Sequence, residues 1–565
     1  MWRWLAIALL GLAGCGGCTS LPTLVPDLRA PRGAPVQIEG ANGPLSAERS
    51  RAILAGLASR GQPTDIFERH LALEEAIAGS PLSAGNDVRL LQDGPATYRA
   101  MLAAIATARD HIHLETYILD DDEVGRLFAQ ALIERRRAGV AVRLIHDGVG
   151  TLGTPPAFFQ ALVEAGVAVL EFNPPNPLLA RKEWALNQRD HRKLLIVDGR
   201  VAFLGGINIS SVYSGGSLKR RAPTGDETGL AWRDTDLAVR GPVVADLQRL
   251  FLAAWTAQKG PALDLANAFP PAEAAGRQVV RALGSSPEEP YSLIYATLLS
   301  AIASAETSVH LTNAYFAPDP QLLAALEAAA ARGVDVVLIL PSRTDSWLVF
   351  HAGRAHYERL LRAGVKIFER RGVILHSKTA LIDGVWATVG STNLDWRSFL
   401  HNHELNVVVL GAEFGAQLQA MFAADRAASA EITLEAWRRR PLTLTLSGRD
   451  AAGGVGINLL QTRLDGGRWR TTGARLTVAA PADHSNDGRH TVACRAVDKA
   501  GNKSPVTTVT VRIDTRPPQN YMVTDYGSTL DVRAFFRASD TEFPLTLTYR
   551  VDGAAERRAV QEAAD

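Results

Sequence analysis

The spacing of apolar residues changes along the chain in a regular order. After a Pro- and Gly-rich lead, helical periodicity runs from about residue 43 to residue 79. A short apolar run, Val88 to Leu91, follows. The pattern then predicts a helix over 95–109, a strand over 112–118, a helix over 122–138, a strand over 140–145, a helix over 156–165 and a strand over 167–172. Strands alternating with helices predict an α/β sheet with helices packed on its faces. The alternation then recurs. Helices are expected over 291–305, 320–332 and 354–363, with strands over 308–315, 334–340 and 365–368. Blocks match at similar offsets: His113-Leu114 answers His310-Leu311, and Val142-Arg143-Leu144-Ile145 answers Val336-Val337-Leu338-Ile339. Two homologous halves in tandem explain this.

Beyond Arg440 the pattern switches to period two, with β-branched residues and turn pairs such as Asp465-Gly466 and Gly501-Asn502. This predicts an antiparallel β-sandwich over 441–516. A partial second copy is expected over 519–565, because Thr548-Tyr549-Arg550-Val551-Asp552-Gly553 echoes Gln461-Thr462-Arg463-Leu464-Asp465-Gly466.

The densest signal is a duplicated string, His-x-Lys-x4-Asp-x6-Gly, beginning at His191 and again at His376. Each copy reads as a β-hairpin with Asp198-Gly199 or Asp383-Gly384 as a two-residue turn. On that reading Val197 opposes Arg200 and His191 opposes Gly206, so His191, Lys193 and Asn208 share one face, as do His376, Lys378 and Asn393. Asp198 and Asp383 are then structural turn residues. A neutral imidazole can attack phosphorus, and a second one can protonate the leaving oxygen. The lysines and asparagines supply charge and donors for the phosphate oxygens. Each histidine needs a carboxylate to hold its tautomer. The candidates are Asp234 and Glu404, on the next strand of each half. No metal or other cofactor is expected, because a lysine beside each histidine repels a cation and no carboxylate cluster is present. The nearest metal-like string is His401-Asn402-His403-Glu404.

Length, composition and charge narrow the picture. A chain of 565 residues suggests three or four folded units at about 150 residues each. An apolar share of 47% and a charged share of 21% argue against disorder and against a polytopic membrane protein. A net charge of +1 offers no field for a polyanion, so nucleic acid is not an expected partner. The first 15 residues carry one arginine, the apolar run Leu5 to Leu12, and then Ala13-Gly14-Cys15. That order reads as an export signal too short to span a membrane. Three cysteines, Cys15 at the end of that segment, Cys18 just after it and Cys494, give no disulfide framework, and Cys494 is expected to be buried in a strand.

These motifs resemble the phospholipase D superfamily, whose signature is a duplicated His-x-Lys-x4-Asp-x6-Gly-x2-Asn. The likeness covers about residues 86–424. Pro341 to Ser346, His351 to Tyr357, Ile367 to Arg370 and Gly390 to Ser398 are further similar to bacterial cardiolipin synthases of that superfamily. The resemblance implies two tandem α/β/α halves, 86–262 and 280–436, forming one catalytic unit. They follow a lead over 16–85 and precede an immunoglobulin-like β-sandwich region. It also implies transfer of a phosphatidyl group to phosphatidylglycerol, with phospholipid substrates and no cofactor. His191 would be the nucleophile, His376 the acid/base, and Lys193, Lys378, Asn208 and Asn393 would bind phosphate, with Asp234 and Glu404 orienting the histidines. Alternatives are a hydrolytic phospholipase D, a nuclease of the same superfamily, and a surface-binding protein whose β-sandwich tail meets a cell-surface partner. Leu12-Ala13-Gly14-Cys15 resembles a bacterial lipobox, which implies acylation of Cys15 and attachment to the cell-envelope membrane. Gly16 after it leans toward the periplasmic face of the outer membrane.

Overall fold

The computed structural model describes residues 36–61, 64–77, 80–179, 185–215, 230–438, 442–450, 457–472, 475–478, 485, 488–513, 530–531, 533–538, 546–551 and 557–560. The export-type segment with Cys15 lies outside these residues.

The chain divides into two compact units. One holds residues up to Thr312 together with Pro318–Asp335 and His376–Ala423. Its centre is a continuous sheet. In the first half the strands are β1 (Leu82–Leu91), β2 (His111–Thr116), β3 (Ala141–Asp147), β4 (Ala168–Phe172), β5 (Leu194–Val197), β6 (Val201–Gly205) and β7 (Asp236–Arg240). β2, β3 and β4 are parallel, and β5 then runs antiparallel to β2. β5–β6, β6–β7 and β7–β1 continue the ladder antiparallel. β1 then pairs with β8 (Gln278–Ser285), and β8 leads by way of the long β12 (Asn402–Leu410) to β11 (Trp386–Gly390) and β10 (Lys378–Ile382), completing the second half with β9 (Ser308–Asn313). The apolar periodicity does not mark β8, yet β8 is the seam that joins the halves into one sheet.

The strands are apolar on both faces because helices cover both. Leu195 and Val197 turn toward α1 (Gly94–Thr107) and α2 (Glu123–Arg137), where Tyr98, Ile105 and Phe128 pack. Leu194 and Ile196 turn the other way, toward Leu247, Phe251 and Trp255 of the helix Val244–Ala257. That second core also takes in Val389, Val407, Phe414 and Met421, so both halves share it.

The hairpin turns differ from the expected two-residue loops. Val197 opposes Val201 and Ile382 opposes Trp386, leaving three residues in each connection. Both turn aspartates have positive φ, 53° at Asp198 and 50° at Asp383, with Gly199 and Gly384 following in the same region. The extra residue shifts the register by one, so Leu194, not Lys193, opposes Leu204. The turn carboxylates reach back to the start of a neighbouring strand. Asp198 accepts from the backbone N–H groups of Arg109, Asp110 and His111 at 2.9, 2.8 and 3.0 Å. Asp383 does the same for Glu306, Thr307 and Ser308 at 3.0, 2.8 and 2.9 Å.

In the other unit the strand Asp335–Pro341 pairs parallel with Lys366–Arg370, which pairs antiparallel with Ser429–Ile432. Where one helix is expected over 354–363, two short ones form, Trp347–Arg354 and Tyr357–Arg362. The described strands beyond residue 441 make two sheets. One has four strands, Arg470–Thr472, Ile457–Leu464, Gly488–Asp498 and Thr507–Ile513. Cys494 is buried in the third of these, and burial pushes its thiol up to about 11. In the other sheet Arg533–Ala538 lies parallel to Leu442–Asp450. Among the described residues no helix is long and apolar enough to cross a membrane.

Replacing Asp198 by Ala strips three N–H groups of a charged acceptor and should destabilise the unit by about 2–3 kcal/mol. Asp198→Asn keeps one acceptor oxygen and should cost less. Urea unfolding followed by tryptophan fluorescence measures both, and equal midpoints for Asp198→Ala and the parent would contradict the turn's structural role.

Candidate active site

The short strand Arg189–Asp190 from the first half lies parallel to the start of β12 from the second, with Asp190 opposite His403. The next residue continues the pairing: the His191 N–H donates to the His403 carbonyl at 2.9 Å. The following residue on β12 is Glu404, and His191 Nδ1 sits 3.1 Å from each of its carboxylate oxygens. The second histidine repeats the arrangement in reverse. The His376 N–H donates to the Arg233 carbonyl at 2.8 Å, and His376 Nδ1 lies 2.6 Å from Asp234 Oδ2. This corrects the expectation that each histidine is held from within its own half. The carboxylates are exchanged, because each motif strand pairs with the carboxylate-bearing strand of the opposite half.

The motif glycines permit these contacts. A Cβ on Gly205 would stand 2.1 Å from Asp236 Oδ1, and one on Gly390 would stand 2.2 Å from Asn406 Oδ1. A Cβ on Gly206 would come within 2.2 Å of Asp234 Oδ1 itself. Asp236 in turn accepts from the Ile207 N–H, and Asn406 from the Thr392 N–H, so the two halves use the same device to shape the segment before each asparagine.

The lysines also match. Lys193 Nζ donates to the His191 carbonyl at 2.6 Å, and Lys378 Nζ donates to the His376 carbonyl. Lys193, Lys378 and both histidines are buried. Burial pushes the His191 imidazole down to about 4, against the pull of Glu404, with Lys193 and Lys378 adding to the depression. Burial likewise brings Lys193 down to about 7, with Glu404 opposing and Lys378 assisting. Burial raises Glu404, but the His191 charge and hydrogen bond, with Lys193 and the Ser391 hydroxyl, outweigh it and leave the carboxyl below its usual range. The charge of Lys378 is felt at His191 and Lys193, and that of Asp234 at Lys193. The two motifs therefore form one electrostatic site.

The asparagines do not follow the alternation count. β6 ends at Gly205, and Asn208 lies beyond it, where strand periodicity no longer applies. Its amide donates to the Tyr213 hydroxyl at 3.0 Å and accepts from the Ile118 N–H at 3.0 Å. The same Tyr213 hydroxyl is 3.4 Å from His376 Nδ1, so Asn208 is linked to the second histidine. Asn393 is buried, with its Oδ1 unpartnered among the described residues. Asp198 and Asp383 lie in the turns already described. The string His401-Asn402-His403-Glu404 is divided among different partners. Asn402 donates to Glu404 at 3.1 Å, and His403 Nε2 lies 3.5 Å from Glu288. Among the described residues no group of three or more histidine, cysteine or acidic side chains is placed to hold a metal.

Several residues at the site escape motif reading. Ser391 donates to Glu404 Oε2. Its only signal in the chain is its place between the motif glycine and asparagine. Tyr117 stands edge-on to His191 with ring centroids 5.0 Å apart, and Trp232 leans on His376 at 4.8 Å. Single aromatics outside a repeat carry no pattern.

A family model described as cardiolipin synthase, PLD-like domain, matches residues 101–216 and 298–426. A cardiolipin synthase of Geobacillus sp. is 35% identical over 377 residues, covering 66% of this chain and 73% of the relative. The chain belongs to the cardiolipin synthase family of the phospholipase D superfamily. Cardiolipin synthase A of Pseudomonas aeruginosa is 38% identical over 359 residues, covering 63% of this chain and 70% of that relative. Cardiolipin synthase 2 of Bacillus anthracis is 35% identical over 374 residues, with 66% and 70% covered. The matched segments of this cardiolipin synthase-family chain contain both His-Lys motifs, both asparagines and Glu404, whereas Asp234 falls between them.

The depressed histidine and lysine give a pH signature. An imidazole held down at about 4 stays neutral as pH falls through the usual histidine range, so if His191 must be neutral to act, kcat/KM should hold until about pH 4. On the alkaline side, Lys193 sheds its proton near 7 in the free enzyme, so KM should rise above that pH. A pH series of initial rates tests this. An acid limb at the ordinary histidine value of about 6.5 would contradict the assignment of His191.

Proposed function

We propose that this cardiolipin synthase-type phosphatidyltransferase works through a covalent intermediate on His191. The observation that carries the reading is the crossed pairing of each buried histidine with a carboxylate of the other half. With Nδ1–H donated to Glu404, the lone pair of His191 Nε2 is free to attack phosphorus. His376, held by Asp234 at 2.6 Å, is the stronger candidate for the protonated partner that gives its proton to the leaving oxygen. The same group then takes the proton of an incoming glycerol hydroxyl of phosphatidylglycerol. That oxygen displaces His191 from phosphorus and forms cardiolipin. Lys193, Lys378, Asn208 and Asn393 hold the non-bridging oxygens while charge shifts. The reaction so written needs no cofactor.

The remaining assignments belong to the same proposal. Residues 86–262 and 280–436 are the two catalytic halves, after a lead over 16–85. Residues 441–516 form an immunoglobulin-like β-sandwich, with 519–565 as a partial β repeat and a cell-surface partner as its ligand. Acylation at Cys15, supported by the lipobox-like sequence, would hold the enzyme on the periplasmic face of the outer membrane beside its phospholipid substrates.

Mass spectrometry of products from phosphatidylglycerol vesicles tests the reaction. The parent should make cardiolipin, and His191→Ala and His376→Ala should each lose turnover by on the order of 10²-fold or more. Phosphatidic acid as the only product would make the chain a hydrolytic phospholipase D. Full activity in either variant would rule out a composite site.

A further inference from the structure

The chemistry of the site is twofold, but its walls are not. Both histidines, both lysines and both asparagines are buried, whereas Tyr117 and Trp232, which meet the histidines, are half-buried. Tyr117 belongs to the loop after β2. Its ring stands at 68° to His191, and Lys193 Nζ lies 5.2 Å from the ring centroid. Its backbone is closely held: a Cβ on Gly150 would come within 2.0 Å of the Tyr117 carbonyl oxygen, so only glycine lets the loop after β3 close against it. Trp232 precedes Asp234 by two residues. Its ring lies at 47° to His376 and packs against Tyr213 at 5.3 Å. In the second half the residue two before Glu404 is Asn402, which donates to that carboxylate and offers no aromatic surface.

We propose that Tyr117 and Trp232 are specificity residues that favour an alcohol over water as the group resolving the intermediate on His191. This rests on the phosphatidyl-transfer reading above. Both routes break the same His191 Nε2–P bond and hand one proton to His376. They differ only in whether the new P–O bond comes from a glycerol hydroxyl or from water. Water is in large excess, so transfer requires that it be kept from phosphorus. An aromatic ring against each imidazole occupies volume that ordered water would otherwise fill, and it offers an apolar face to the C–H groups of a glycerol headgroup. Tyr213, buried and bonded to Asn208, is a positioning residue and is not included.

The test is the ratio of cardiolipin to phosphatidic acid made from phosphatidylglycerol vesicles by the full chain. Tyr117→Ala and Trp232→Ala should each lower that ratio several-fold while total phosphohistidine turnover persists. Tyr117→Phe and Trp232→Phe keep an aromatic ring and should restore the ratio toward that of the parent. Tyr117→Leu and Trp232→Leu, which fill more space than Ala, should fall between and serve where an Ala variant fails to fold. An unchanged ratio in the Ala or Leu variants overturns the inference. So does loss of both products together in folded variants, which would make the rings positioning groups. A parent that makes no cardiolipin would instead refute the phosphatidyl-transfer reading, whatever the variants do.

Discussion

Everything at this site depends on an exchange of carboxylates between two halves of one chain. His191 is held by Glu404 and His376 by Asp234, so neither half contains a complete histidine dyad. The exchange is possible only because the sheet is continuous. β1 pairs with β8, β8 pairs with β12, and β12 carries Glu404 to the place where Arg189–Asp190 arrives from the other side. A slip of one residue in any of these ladders would turn Glu404 away from His191, since strand side chains alternate faces. The shared core beneath the sheet, running from Leu194 to Val407, resists such a slip.

Burial then does two things at once. It drives His191 toward its neutral form, and it lowers Lys193 to about 7, near the point of losing its charge. Two buried lysines with two buried carboxylates come close to balance, and a bound phosphodiester adds the negative charge that favours keeping both lysines protonated. The site is thus arranged for an anion. On the covalent mechanism proposed here, the pseudo-twofold arrangement supplies attack and protonation from equivalent positions. The unequal aromatic neighbours make those positions distinguishable.

Much of this was legible in the chain, and the limits have physical causes. Helix and strand positions in both halves followed from apolar period, because these elements are long and doubly buried. β8 gives no such signal: Gln278-Val279-Val280-Arg281-Ala282-Leu283 has no alternation, since side chains on both of its faces are buried. The motif residues were found by duplication alone. Counting faces around a hairpin failed for Asn208 because a three-residue turn shifted the register and the strand stopped at Gly205. Asp234 and Glu404 were identified, but their exchange was not, since which half supplies a partner is a property of three-dimensional pairing. Tyr117 and Trp232 left no trace at all.

The most direct test of the crossed arrangement is nitrogen-labelled histidine NMR of the full chain, comparing the parent with Glu404→Gln and Asp234→Asn. The exchange predicts that Glu404→Gln shifts the Nδ1 resonance and tautomer of His191 and leaves His376 nearly unchanged, while Asp234→Asn does the reverse. If Glu404→Gln moved His376 and Asp234→Asn moved His191, each histidine would be held from its own half and the account would be wrong.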